Sequence, residues 1–427
     1  MKNFSLTLRA LLGTLFLVPV LATALTRPDG FNDRYNLEEM VVLSRHSIRA
    51  PLSGNGSALG NLTSHEWTDW SAAPSELTSR GGALETIMGQ YFRKYLEQQG
   101  LFPDNYVPTA DDVNIYANSM QRTIATAQYF TSGFMPVANL TVNHRFTPSK
   151  MDPVFFPRLT KVNPAFKEKA MKEIAAMGGD AGIRGINRGL EDSYTLIAEV
   201  LDLEHSPAGK GGMKAFDNYD TEIILEAGEE PRMKGSLKDA NSASDAFILQ
   251  YYEEPDTVKA GFGHKLTRDQ WAKIARIKDV YGDVLFTAPS VAVNVANPLL
   301  RYMYDELNAP GRKFTYLVGH DSNIASVNAA LGVEEYELPD AIEKKTPIGS
   351  KLVMEKWLGK DGKEYVSLNL VYQTPDQLRD ISLLDLDNSP MVFPLHLKGL
   401  TPNADGLYLL DDVNGRFAEA FAAYEAL

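Results

Sequence analysis

The sequence predicts an α/β fold, a three-layer sheet with helices on both faces plus an inserted helical cap domain, and three observations carry that expectation. A buried apolar run, a polar loop and a helical repeat follow one another three times. Between the second and third of these units lies a long stretch that is helical in pattern and poor in strand signals, and after the third come two alternating segments that read as returning strands. Repeated strand–loop–helix order argues for a sheet covered by helices, with ligands bound beyond the carboxyl ends of its strands.

The elements follow in order. Lys2 and Arg9 precede an apolar run from Leu11 to Leu21, and Ala22-Thr23-Ala24 supplies the small residues of a cleavage site, so residues 1–24 read as a signal peptide. The run is broken by Pro19 and falls short of the roughly 18 apolar residues that a membrane span needs. Met40 to Leu43 is a continuous apolar run, the mark of a strand buried on both faces. Leu84, Ile87, Met88, Tyr91 and Tyr95 recur at helical spacing, with Thr78 placed to cap the entry and Gly100 to end it. Val113 to Ala117 reads as a second strand and Ser119 to Phe130 as the helix after it. Phe314 to Val318 and a helix through Ile324, Val327 and Leu331, stopped at Gly332, repeat the unit. Lys351 to Trp357 and Glu364 to Tyr372 alternate as strands. The α/β domain is thus expected over 25–156 and 282–427, with the cap over 157–281. Within the cap, Ala165 to Met177 and Arg188 to Leu201 are helical in pattern, while Ser206 to Gly212 and Glu226 to Ser244 read as polar, exposed loops.

Composition narrows the chemistry. The formal net charge of −13 becomes −15 once Lys2 and Arg9 leave with the signal peptide, which argues against nucleic acid or an anionic membrane as partner. The chain has no cysteine, so disulfides, thiolate metal sites and cysteine nucleophiles are excluded. Against this acidic background the basic residues at strand ends stand out. Arg45, His46 and Arg49 share one short loop, and Pro51 biases Ala50 away from helix. Guanidinium matches phosphate oxygens in pairs, and two flanking positive charges disfavour imidazolium, leaving His46 neutral and nucleophilic. The plainer reading is a solvated basic loop with an incidental histidine. His320 and Asp321 follow the third strand, at a helix start that attracts anions; Asp321 can equally serve only as an N-cap. Arg122 falls in the first turn of its helix, where a cation is unfavourable unless an anion accompanies it; its plainer reading is a surface arginine. His65, His144, His205, His264 and His396 show no ligand spacing, and Gly209-Lys210-Gly211-Gly212 lacks the spacing of a nucleotide-binding loop.

Ser44 to Pro51 resembles the R-H-G-x-R-x-P motif of the histidine acid phosphatases, and His320-Asp321 their H-D pair. The resemblance extends through Tyr116 to Thr123, Met151-Asp152-Pro153, Thr346 to Gly349 and Tyr372-Gln373. Ser242 to Phe247, Leu249 to Glu253 and Gly319 to Ser326 are most similar to the branch of bacterial periplasmic glucose-1-phosphatases. That resemblance implies an exported acid phosphatase hydrolysing sugar phosphates, glucose 1-phosphate first among them, with a small phosphomonoester as its ligand and no cofactor or metal. His46 would be the nucleophile, forming a phosphohistidine; Arg45, Arg49, Arg122 and His320 would bind the phosphate; Asp321 would protonate the leaving alcohol. A phytase or broad acid phosphatase is the nearest alternative. A phosphosugar-binding protein without turnover is another, although it has no use for Asp321. Two departures stand out: Ser47 replaces the motif's glycine, as in the glucose-1-phosphatase branch, and the disulfides usual in periplasmic relatives are missing. Glu253 is expected on the cap segment turned toward the pocket, where it would repel multiply charged substrates.

Overall fold

Met40 to Leu43 lie within a longer strand, β1 (Tyr35–Arg45), and their side chains divide between the two faces. Val41 and Leu43 join one hydrophobic core, Met40 and Val42 another. The computed structural model describes residues 27–52, 58–147 and 150–427; the signal peptide expected over 1–24 lies outside them. The other strands are β2 (Val113–Ala117), β3 (Glu222–Ile224), β4 (Arg232–Lys234), β5 (Phe314–Gly319), β6 (Lys351–Gly359), β7 (Glu364–Tyr372), β8 (Met391–Pro394) and β9 (Tyr408–Leu409). The main sheet runs in the order β2-β5-β1-β6-β7-β8, with β9 also paired to β7, while β3 and β4 form a separate ribbon. β5 is parallel to both β1 and β2, whereas β6 runs antiparallel to β1 and to β7.

The parallel trio is what positions the site. Arg45 pairs in register with Gly319, and Ala117 with Val318, so three carboxyl ends finish side by side. His46, Asn118 and His320 are the next residues along each strand.

Among helices of eight or more residues, α1 (Ser79–Gln98) and α2 (Gln121–Phe134) cover one face. α3 (Pro164–Ala176), α4 (Glu191–Val200), α5 (Ser236–Glu253) and α6 (Arg268–Phe286) build a helical body with its own core. α7 (Pro289–Leu307), α8 (Asp321–Ala330) and α9 (Leu410–Glu425) cover the opposite face. Thr78 caps α1 by accepting from the Gly81 amide at 3.1 Å, and Gly100 turns the chain at φ 75°. α7 joins the two bodies: Val291 and Val295 belong to the helical core, Leu299 and Met303 to the sheet core. The helical core also takes Ile48, Leu59, Leu62 and Trp67 from the segment before α1.

Two segments differ from expectation. Glu226 to Ser244, read as an exposed loop, contains β4 and the first half of α5. Its buried face in this half of α5 holds Leu237, Ala240, Ala243 and Ser244, with a single large apolar side chain among small ones, too few to register as an apolar stripe. Ser206 to Gly212 likewise holds a helical turn, Pro207–Lys210, capped by the Ser206 hydroxyl.

Candidate active site

The loop from His46 to Ala50 is held by its backbone. The His46 amide donates to the Gly319 carbonyl (3.1 Å), its carbonyl accepts from Gly349 (3.2 Å), and the Ile48 carbonyl accepts from Thr78 (2.9 Å). Ser47 donates its amide to Thr126 Oγ1 on α2 at 3.2 Å. Ser47 is absent from the positive-φ residues of the described chain, so serine at the motif's glycine position carries no strain there. Gly81, in contrast, is required: a Cβ on it would stand 2.3 Å from the Ile48 carbonyl oxygen. Beneath the loop, Lys351 Nζ donates to Glu85 Oε2 (3.1 Å) and to the Gly349 carbonyl (2.9 Å).

These restraints fix the tautomers of both histidines. His46 Nδ1 lies 2.8 Å from the Ser47 carbonyl, which can only accept; Nδ1 therefore carries the proton and Nε2 keeps its lone pair. Asn118 Oδ1 accepts from the Asp152 amide at 2.9 Å, which turns its Nδ2 toward His320 Nε2, 2.8 Å away. His320 Nε2 is thus an acceptor, and Nδ1 is the proton-bearing donor. The two rings meet edge to face with centroids 5.5 Å apart. Burial, then the Arg122 and Arg49 guanidiniums, hold His46 well below the usual imidazole range. Burial and Arg122 do the same to His320, over the opposing pull of Asp321.

His46, Arg49, Arg122, His320 and Asp321 line one side of a cavity of about 460 Å³. Arg49 Nη2 pairs with Asp245 Oδ2 of α5 at 2.9 Å. Arg122 sits in the first turn of α2 as expected; among the described residues it makes no ion pair, and its Nε is buried without a partner. Burial and then Arg49 push its guanidinium down to about 10, so it stays charged. Arg45 is placed differently. It is 1% exposed and stands behind the cavity wall, because Glu343 Oε1 and the Thr346 carbonyl both take Nη1 at 2.6 Å. Its Nη2 lies 3.7 Å from Asp321 Oδ2. Burial opposes that charge, yet Glu343 and Asp321 hold it above its ordinary value.

Asp321 is the first residue of α8, a third exposed. Its Oδ1 accepts from the Ser322 amide at 2.9 Å, and Oδ2 is paired with Lys278 Nζ of α6. Glu253 is not brought to the site. It accepts from Thr78 Oγ1 (2.9 Å) and Ser71 Oγ (3.2 Å) at the far end of α5, eight residues and roughly 12 Å of helix from Asp245.

The opposite side of the cavity was not foreseen. Lys238, Asn241, Ser242 and Asp245 line it from α5, joined by Glu230 and Lys278. Positions 238, 241, 242 and 245 share one helical face, a polar stripe that would have been visible had the segment been read as helix. Burial and then Asp321 raise the Glu230 carboxyl to about 7.

A nucleophilic ring nitrogen, anion donors and a carboxylate at a helix start can together transfer a phosphoryl group. Comparison with known proteins agrees. The family model described as histidine phosphatase superfamily (branch 2) matches residues 36–181 and 190–371. The chain is 39% identical to a glucose-1-phosphatase of Providencia rettgeri, covering 90% of this chain and 92% of that protein. It is 38% identical to a glucose-1-phosphatase of Salmonella typhimurium, at 91% and 92% coverage. Among solved structures, the apo form of Hafnia alvei phytase superposes with a TM-score of 0.83 at 27% identity, covering 92% of this chain and 98% of that one.

Proposed function

Since the chain belongs to the histidine phosphatase superfamily (branch 2), we propose that it hydrolyses sugar phosphates, glucose 1-phosphate first among them, by passing the phosphoryl group through His46. The observation that carries this reading is the free Nε2 lone pair of His46, set by the Nδ1 bond to Ser47, in a cavity shared with Arg49, Arg122, His320 and Asp321.

Arg49, Arg122 and the Nδ1–H of His320 hold the phosphoryl oxygens, and Arg45 adds positive charge from behind the wall. His46 Nε2 attacks phosphorus as the bond to the sugar oxygen breaks, and Asp321 gives that oxygen a proton. An alkoxide leaves poorly without one. Water then attacks the phosphohistidine, gives its proton to Asp321, and restores the Nε2 lone pair. Fixed cations around the equatorial oxygens are what lower the barrier in both halves.

A phytase is the second reading, favoured by the likeness to the Hafnia alvei enzyme. Glu230 and Asp245 on the cavity wall weigh against a hexaphosphorylated ligand, and the glucose-1-phosphatase relatives share more identity. Relative kcat/KM on glucose 1-phosphate, inositol hexakisphosphate and p-nitrophenyl phosphate tests the choice; a preference for the inositol compound would overturn it. The N-terminal pattern of Lys2, Arg9, an apolar run and Ala22-Thr23-Ala24 supports export to the periplasm with cleavage after Ala24, for which a mature protein beginning at Leu25 is the check. Among the described residues no helix is long and apolar enough to cross a membrane.

A further inference from the structure

The proposed reaction needs Asp321 in two states, as an acid toward the sugar oxygen and as a base toward water. We infer that Lys278, reaching across the cavity from the helical body, is the residue that positions Asp321 and governs its exchange of a proton with the leaving group. Both carboxylate oxygens are engaged, Oδ1 by the Ser322 amide and Oδ2 by Lys278 Nζ. The Lys278 side chain is 12% exposed, so its charge acts where water screens it little.

Other cations do not take its place. Arg45 stands 3.7 Å away with Nη1 committed to Glu343 and Thr346. From the loop, His46 and Arg49 face the same cavity, as does Arg122 from α2 and His320 from the end of β5. Lys238 and Lys345 also line the cavity, and the helical body presents Glu230, Asp245, Asp279, Tyr281 and Asp283 beside Lys278; of these carboxyls, Glu230 and Asp245 oppose negative charge on Asp321. Burial alone would raise the Asp321 carboxyl; Lys278 first, then Arg45, hold it well below the carboxylate range, and the helix start adds to them. The empty site therefore has Asp321 ready as a base. To act as an acid it must gain a proton from solvent and release Oδ2 from Lys278, a change favoured when a phosphoryl group adds negative charge alongside.

The inference rests on the phosphohistidine reading, and the test separates the two. Profiles of kcat/KM against pH are measured for glucose 1-phosphate, whose alkoxide needs a proton to leave, and for p-nitrophenyl phosphate, whose phenolate does not. With Lys278→Met, the alkaline limb for glucose 1-phosphate moves up by roughly one to three pH units, the effect of removing a near opposite charge, and the limb for the aryl ester moves less. Lys278→Arg keeps the limb near its wild-type position, and Lys278→Gln serves if the methionine variant does not fold. Equal shifts for both substrates, or none, overturn the inference and mark Lys278 as a simple phosphate ligand or a structural residue. An alkaline quench of wild-type enzyme with radiolabelled substrate reads the other point: no label on His46 removes the phosphohistidine reading, whereas label with an unmoved limb removes only the role of Lys278.

Discussion

The two walls of the cavity are built by different rules. On the sheet side, His46, Asn118 and His320 extend from adjacent parallel strands, and their backbone and ring nitrogens are fixed by short hydrogen bonds to carbonyl and amide partners. On the helical side, α5 and α6 present Lys238, Asp245 and Lys278, side chains whose charges rather than their backbones define the surface. On the proposed reading, bond making belongs to the sheet-side wall, with Lys278 reaching it from the other side, and the remaining helical-side residues bear on substrate selection. Loss of the nucleophile should therefore act on every phosphomonoester, whereas changes to Asp321 should discriminate among leaving groups and helical-side changes among substrates.

The largest expected effect is on the sheet side. His46→Ala lowers kcat by about 10⁴-fold or more on all substrates, as loss of a nucleophile does; a residual rate that still discriminates among aryl, sugar and inositol phosphates at wild-type levels would break the division of labour. Asp321→Asn lowers kcat/KM on glucose 1-phosphate by on the order of 10²–10⁴-fold, the usual worth of a positioned acid, and on p-nitrophenyl phosphate by less. The brace beneath the loop is next. Glu85 is 2% and Lys351 0% exposed, so Glu85→Gln strands a buried ammonium and lowers stability by about 3–5 kcal/mol, measured by denaturant unfolding.

The smallest effects lie on the helical side. Because Glu230 titrates near 7, it is neutral below that pH and charged above it. Hydrolysis of inositol hexakisphosphate relative to glucose 1-phosphate therefore falls as pH rises through about 7, and Glu230→Gln flattens that fall by a few-fold. Glu253→Gln leaves the ratio where it was, since Glu253 is bonded to Thr78 and Ser71 outside the cavity.

The same division explains what the sequence made legible. β1, β2 and β5 could be read because their apolar runs are continuous, and the residues just past a parallel strand end must stand near one another whatever the rest of the chain does. His46, Arg122, His320 and Asp321 follow from that. Lys278 could not be found this way: its partner Asp321 is 43 residues further along, and only the packing of α6 over the sheet brings them together. The first half of α5 is not legible because Leu237 is its one large buried apolar side chain beside Ala240, Ala243 and Ser244, and with it goes the polar stripe that includes Asp245. Glu253 lies on the expected helix but at the end remote from the cavity, bonded to Thr78 and Ser71. Arg45 was correctly seen at the strand end, but nothing local announces Glu343, 298 residues away, as its partner.

The pairing of Arg49 with Asp245 and of Lys278 with Asp321 has a consequence for turnover. On the proposed reading Arg49 carries its own counter-ion, so an arriving phosphate exchanges with Asp245 there, while Arg122, without an ion pair among the described residues, meets it unpaired. When inorganic phosphate departs, Asp245 re-forms its pair with Arg49 and Lys278 its pair with Asp321, which lowers the free energy of the vacated state. Product release from a site rich in guanidinium is thereby eased at Arg49, where a resident carboxylate takes the place of the departing anion.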